Sequence, residues 1–120
     1  MEEWEYKMNI QIFGKTKCFD TKKAERYFKE RKIKFQFIDV AAFGMSKGEL
    51  RRVRTAVGSC RALVDEKSKD YTRSLVAYVS QDANIEEKLL AFPGLFKTPI
   101  VRNGRQATVG YHPEIWETWE

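Results

Sequence analysis

The feature that most restricts the fold is an apolar run, a helix-period stripe and a second apolar run, packed into the first third of the chain. From Asn9 to Phe13, Ile10 and Ile12 alternate with Gln11 and Phe13, and Gly14 closes the run. That pattern predicts a strand buried mostly on one face. From Phe19 to Lys32, Ala24, Tyr27 and Phe28 form an apolar stripe while Lys22, Lys23, Arg26 and Lys29 stay in water, which predicts an amphipathic helix. From Lys34 to Val40, Phe35 and Phe37 face one way and Ile38 the other, as in a strand with neighbours on both faces. Strand, helix, strand in that order implies a parallel pair with a right-handed crossover.

The rest of the chain completes a sheet around this pair. Ser46-Lys47-Gly48-Glu49 has the form of a capping box, and Leu50, Val53 and Val57 supply the buried face of a second helix. Residues 59–92 read as helical with breaks: a turn near Cys60 to Val64, a short helix from Arg73 to Val79, and another from Ile85 to Phe92 with Asn84 as its N-cap. In the last of these Ile85, Leu89 and Phe92 share a face, and Pro93-Gly94 stops it. Pro99 to Arg102, Asn103-Gly104 and Arg105 to Val109 predict a hairpin, since Asn-Gly fits its two-residue turn. Pro113 opens a closing helix whose Ile115, Trp116 and Trp119 would pack on the sheet. The sum is an α/β domain spanning residues 1–120, with a four-stranded mixed sheet. A helical insertion at about 46–92 separates the βαβ unit from a C-terminal ββα unit. Met1 to Met8 fit either a lead-in or an extension of the first strand.

Two cysteines in 120 residues are too few for a disulfide framework and lack metal spacing, which points to a reducing, cytoplasmic setting and to no metal. Glu2, Glu3 and Glu5 are the wrong chemistry for a signal peptide, and no apolar run approaches membrane-spanning length. The net charge of +5 is concentrated: Lys15 to Lys34 holds nine Lys/Arg against Asp20, Glu25 and Glu30. Such a run is either the solvated face of a helix or a means of steering an anionic partner. Direct nucleic-acid binding is not expected, because the aromatics follow core periodicity and do not alternate with the basic residues.

Cys18 lies between the first strand and the first helix, with Lys15 and Lys17 before it and Lys22 after it. The positive end of the helix dipole and nearby ammonium groups both favour a thiolate, so Cys18 is the candidate nucleophile. Lys22, one turn along, is a candidate to stabilise it. Thr21 offers its hydroxyl either to the sulfur or to backbone. Cys60, among Val57, Ala62 and Leu63, reads as a small buried residue more readily than as a resolving thiol, and His112 reads as a helix-entry residue. Arg51, Arg52 and Arg54 read as the wet face of the second helix.

Four pieces in order resemble the arsenate reductase (ArsC) and Spx family of thioredoxin-fold proteins: Cys18-Phe19-Asp20-Thr21-Lys22, Lys69-Asp70-Tyr71, Thr98-Pro99-Ile100-Val101, and Val109 to Trp116. The resemblance implies a thioredoxin-like fold and a cis Thr98-Pro99 turn facing the cysteine. It also implies glutaredoxin-like thiol–disulfide chemistry through a mixed disulfide on Cys18. The co-substrate would be glutathione or another low-molecular-weight thiol, with no bound cofactor. On this reading Lys15, Lys17, Thr21, Thr98, Pro99 and Arg61 contact substrate, and the protein is a monomer. Spx regulators generally carry a second cysteine where this chain has Thr21. Arsenate reductases of this type hold the oxyanion with arginines at places that here look like Asp65, Thr98 and Tyr111, with Arg61 near the first. The family also implies two alternatives: a non-enzymatic regulator that binds the RNA polymerase α subunit, and a genuine arsenate reductase.

Overall fold

In a computed structural model, which describes residues 9–119, β1 (Ile10–Gly14) runs parallel to β2 (Phe35–Asp39) across α1 (Phe19–Glu30). β1 also pairs antiparallel with β3 (Ile100–Asn103), which pairs antiparallel with β4 (Gln106–Val109), so the sheet order is β2-β1-β3-β4. Between β2 and β3 lie α2 (Val40–Phe43), α3 (Lys47–Val57), α4 (Lys69–Arg73) and α5 (Asp82–Ala91), with 3-10 turns at Arg61–Leu63, Val76–Tyr78 and Pro93–Leu95. α6 (Pro113–Trp116) closes the chain. The expected α/β architecture, a mixed four-stranded sheet with a helical insertion, is the observed one. The placement of Met1 to Met8 lies outside the described residues.

Both faces of the sheet are covered. Ile10, Ile12 and Val101 join Ala24, Tyr27, Phe28, Trp116 and Trp119 in one cluster, on the side of α1 and α6. Phe13 and Ile100 join Val40, Leu50, Val53, Leu63, Val76, Leu89 and Phe96 in the other, under the insertion. Because successive strand residues point to opposite faces, β1 is buried on both faces, not mostly on one as its short pattern suggested.

Local chemistry explains where the elements differ from the sequence reading. α1 stops at Glu30, not Lys32: Lys32 takes φ 60°, and its N–H and that of Ile33 return to the carbonyls of Lys29 and Phe28, a Schellman ending. β2 ends at Asp39, whose carboxylate accepts the Ala42 N–H and so begins α2, an element the sequence reading missed. The Ser46–Glu49 capping box forms as read. The helix expected from Arg73 to Val79 is interrupted at Leu75, which has φ 62°, because the Ser74 hydroxyl captures the Val76 N–H. α4 instead starts early, capped by Ser68.

α5 begins at Asp82 with Gln81, not Asn84, at its N-cap. Arg51 holds the buried Glu86 of α5 with two hydrogen bonds and Arg54 faces Asp82, so two of the three arginines tie α3 to α5 instead of simply facing water. The hairpin is present, but Asn103 pairs with Gln106 and the loop is Gly104-Arg105. Positive φ at Gly104 alone fits a turn with glycine in its first central position, not the two left-handed positions of an Asn-Gly loop. Trp116 is buried with its indole N–H on the Thr108 hydroxyl at 2.8 Å, whereas Ile115 stays 39% exposed. Neighbouring positions of a one-turn helix point about 100° apart, so only one of them faces the sheet.

Candidate active site

The register puts the C-terminal ends of β1, β2 and β4 and the start of β3 at one end of the sheet: Gly14 faces Asp39, Phe13 faces Ile100, and Ile100 faces Val109. Cys18 is the N-cap of α1 at that end, with extended backbone; its N–H donates to the Lys15 carbonyl at 3.1 Å and its carbonyl accepts the Lys22 N–H. The partly exposed thiol donates to the Thr98 carbonyl at 3.6 Å, and the Thr98-Pro99 peptide bond is cis. The Thr98 N–H meets no protein acceptor among the described residues. Pro99 is buried, and its carbonyl accepts the Gly110 N–H at 2.8 Å, which ties the loop after β4 to this turn.

Burial alone would raise the Cys18 pKa. The hydroxyls of Thr21 and Thr98 and the backbone N–H groups of Thr21 and Asp20 outweigh it, and the thiol lies below its ordinary value. Thr21 is the hinge of this arrangement. It is 1% exposed, and its oxygen accepts the Lys15 N–H at 3.4 Å, which leaves its proton for the sulfur. Of the two options read for this hydroxyl, the backbone one is a formed hydrogen bond, and toward the sulfur the hydroxyl acts by lowering the thiol's pKa. It fits because residue 14 is glycine: a Cβ there would stand 2.3 Å from Thr21 Cγ2.

The lysines behave differently from expectation. Lys17 and Lys22 are exposed, so solvent screens their charges, and the thiolate is favoured by helix N–H groups and hydroxyls instead of by ammonium groups. Lys15 turns away from the sulfur; its Nζ donates to the Gly94 carbonyl at 2.9 Å and lies 3.6 Å from Asp65. Arg61 donates to the Val79 carbonyl within the insertion and makes no hydrogen bond to the Cys18 corner. Of the eight residues singled out in sequence, Cys18, Thr21, Thr98 and Pro99 are brought together; Lys15 and Arg61 are engaged elsewhere, and Lys17 and Lys22 face solvent.

Cys60 is fully buried, and burial together with the Asp82 carboxylate pushes its thiol up to about 12. Its N–H donates to Asp82 at 2.9 Å. A thiol so held is a poor nucleophile. His112 is the N-cap of α6 and lies 3.1 Å from Glu114. Among the described residues no cluster of His, Cys, Asp or Glu has the makings of a metal site, and no helix is long and apolar enough to cross a membrane.

Sequence reasoning missed three residues at this end. Phe19, next to the nucleophile candidate, is 81% exposed. Lys23 lies 5.5 Å from the Tyr111 ring centroid, and Tyr111 in turn stacks edge-on against Trp116. Gly14 gave only a strand-end signal in the sequence.

Residues 13–119 match the ArsC family. Among solved structures, an arsenate reductase from Vibrio cholerae is 24% identical with a TM-score of 0.79, covering 90% of this chain and 94% of that one. A Bacteroides fragilis protein described as related to the ArsC family is 18% identical with a TM-score of 0.83, covering 95% of this chain and 99% of its own. An arsenate reductase (ArsC) related protein from Brucella melitensis is 24% identical, with a TM-score of 0.66 and 92% of each chain covered. At these identities the likeness speaks for the fold. No curated protein matches the chain.

Proposed function

The chain belongs to the ArsC family, and from that premise we propose that it is a thiol–disulfide oxidoreductase with Cys18 as nucleophile and a low-molecular-weight thiol such as glutathione as co-substrate. The observation that carries this reading is the Cys18 thiol held against Thr98, with hydroxyl and N–H groups that favour its thiolate. The thiolate attacks one sulfur of a disulfide, a new S–S bond forms as the old one breaks, and the other half leaves as a thiolate that takes up a proton. A second small thiol then attacks the mixed disulfide and releases reduced Cys18. On this reading the Thr98 N–H, which meets no protein acceptor among the described residues, pairs with substrate backbone during the attack. Intact-mass analysis after incubation with oxidised glutathione tests this. One adduct is expected, lost in Cys18→Ser and reversed by excess glutathione; a wild-type chain that stays unmodified defeats the reading.

Arsenate reduction is the second reading, and the relatives' names favour it. Against it stands the chemistry of the corner. Where an oxyanion would call for guanidinium groups the chain has Asp65, Thr98 and Tyr111, and Asp65 brings a carboxylate that pairs with Lys15. Turnover of arsenate with glutathione and glutaredoxin, abolished by Cys18→Ser, would replace the disulfide reading with this one.

A further inference from the structure

Between α1 and the connection from β4 to α6 runs an open groove of about 420 Å³. One wall is α1 with its C-cap, through Lys23, Arg26, Glu30 and Arg31; the other is Tyr111 and Pro113. Three cations thus face a single carboxylate. Among the described residues neither Arg26 nor Arg31 has an acidic partner, and Lys23 has only Asp20 at 4.0 Å on the surface, a weak pair. Arg31 Cζ stands over the Tyr27 ring, 3.8 Å from its centroid.

Along α1, Lys23 is the end of the groove nearest the sulfur. Lys23 is five residues beyond Cys18 on one helix, about 7.5 Å along its axis and about the length of two extended residues. Phe19 and Lys23 share a face of α1. On the opposite wall the loop carrying Tyr111 is fixed to the Pro99 carbonyl through the Gly110 N–H, so both walls begin at the Cys18–Thr98 corner. We propose that this groove holds the carboxylate-bearing part of a small disulfide whose sulfur is attacked by Cys18, an inference that rests on the disulfide reading above. In that step the Cys18 thiolate displaces one half of the disulfide as a thiolate and becomes bonded to the other, whose carboxylates lie along Lys23 and Arg26.

The test compares two disulfides, oxidised glutathione with its carboxylates and neutral bis(2-hydroxyethyl) disulfide, by the rate at which each modifies Cys18. Arg26 is exposed, so its replacement leaves the core alone. Reversing one charge near a bound carboxylate predicts that Arg26→Glu lowers the ratio of the two rates roughly tenfold, while Arg26→Lys keeps it within about twofold. Raising the ionic strength from about 0.01 to 1 M should erode the wild-type ratio. A ratio unmoved by Arg26→Glu, or indifferent to salt, overturns the groove and leaves the thiol chemistry standing. A wild-type Cys18 inert to both disulfides brings down the disulfide reading and the groove with it.

Discussion

The two thiols of this chain are pushed in opposite directions by their surroundings, and each direction has a measurable consequence. At Cys18 the favoured species is the thiolate, so alkylation by iodoacetamide across pH should give a midpoint below the ordinary value of about 8.5. Thr21→Val keeps the shape of the side chain and removes its hydroxyl. Losing a hydrogen bond to a charged sulfur should slow alkylation at pH 7 roughly three- to tenfold, and an unchanged rate would show that Thr21 does not favour the thiolate. At Cys60 the neutral thiol is favoured, with its pKa near 12 in the folded chain. Above about pH 8.5 the unfolded chain releases that proton while the folded chain keeps it, so stability falls as pH rises toward 12. Urea titrations between pH 8 and 10 should show this fall in the native sequence and a shallower one in Cys60→Ala. Equal slopes would remove the buried thiol as the cause. Cys18 contributes in the other sense: its stabilisation grows as pH rises through its folded pKa and is complete above the unfolded value.

Among the elements, those with a complete local signature were legible, and those settled by a distant partner were not. Ser46 and Glu49 specify their capping box within four residues, and α3 starts where the sequence reading puts it. The break at Leu75 depends on which N–H the Ser74 hydroxyl captures, and α2 on an Asp39 cap that the strand pattern hides. The site divides the same way. Cys18 stood out by position, while Thr98-Pro99 was recognisable through family resemblance, because X-Pro bonds are cis in only about one case in twenty. The engagement of Lys15 by the Gly94 carbonyl and of Arg61 by the Val79 carbonyl left no trace in their spacing. Gly14 joins the two levels, since it ends β1 and makes room for Thr21. Gly14→Ala places a methyl 2.3 Å from Thr21 Cγ2 and 3.1 Å from the Phe37 ring, so repacking should cost about 1–3 kcal/mol. With Thr21 displaced, alkylation of Cys18 should slow as well. A variant with native stability and native alkylation would show that the strand end yields without disturbing the helix start.

For the whole molecule, the sheet is the shared wall of two apolar clusters, and the site lies where connections from both meet. Cys18 caps α1, which lies over the cluster with Trp116 and Trp119, while Thr98 follows the 3-10 turn whose Leu95 belongs to the cluster with Cys60. β1 and β3 contribute side chains to both: Ile12 and Val101 to the first, Phe13 and Ile100 to the second. If these strands couple the two sides, neither cluster opens alone and the corner is lost or kept as a unit. Two probes separate the alternatives. With Trp4 changed to Phe, tryptophan fluorescence reports the α1–α6 side through Trp116 and Trp119. With Cys18 changed to Ser, labelling of the remaining thiol reports the insertion side through Cys60. In one chain carrying both changes the two probes should give the same urea midpoint. Cys60 becoming reactive at distinctly lower urea than the fluorescence change would mean that the insertion opens as a separate unit. Thr98 would then be free to leave Cys18 while α1 stays folded.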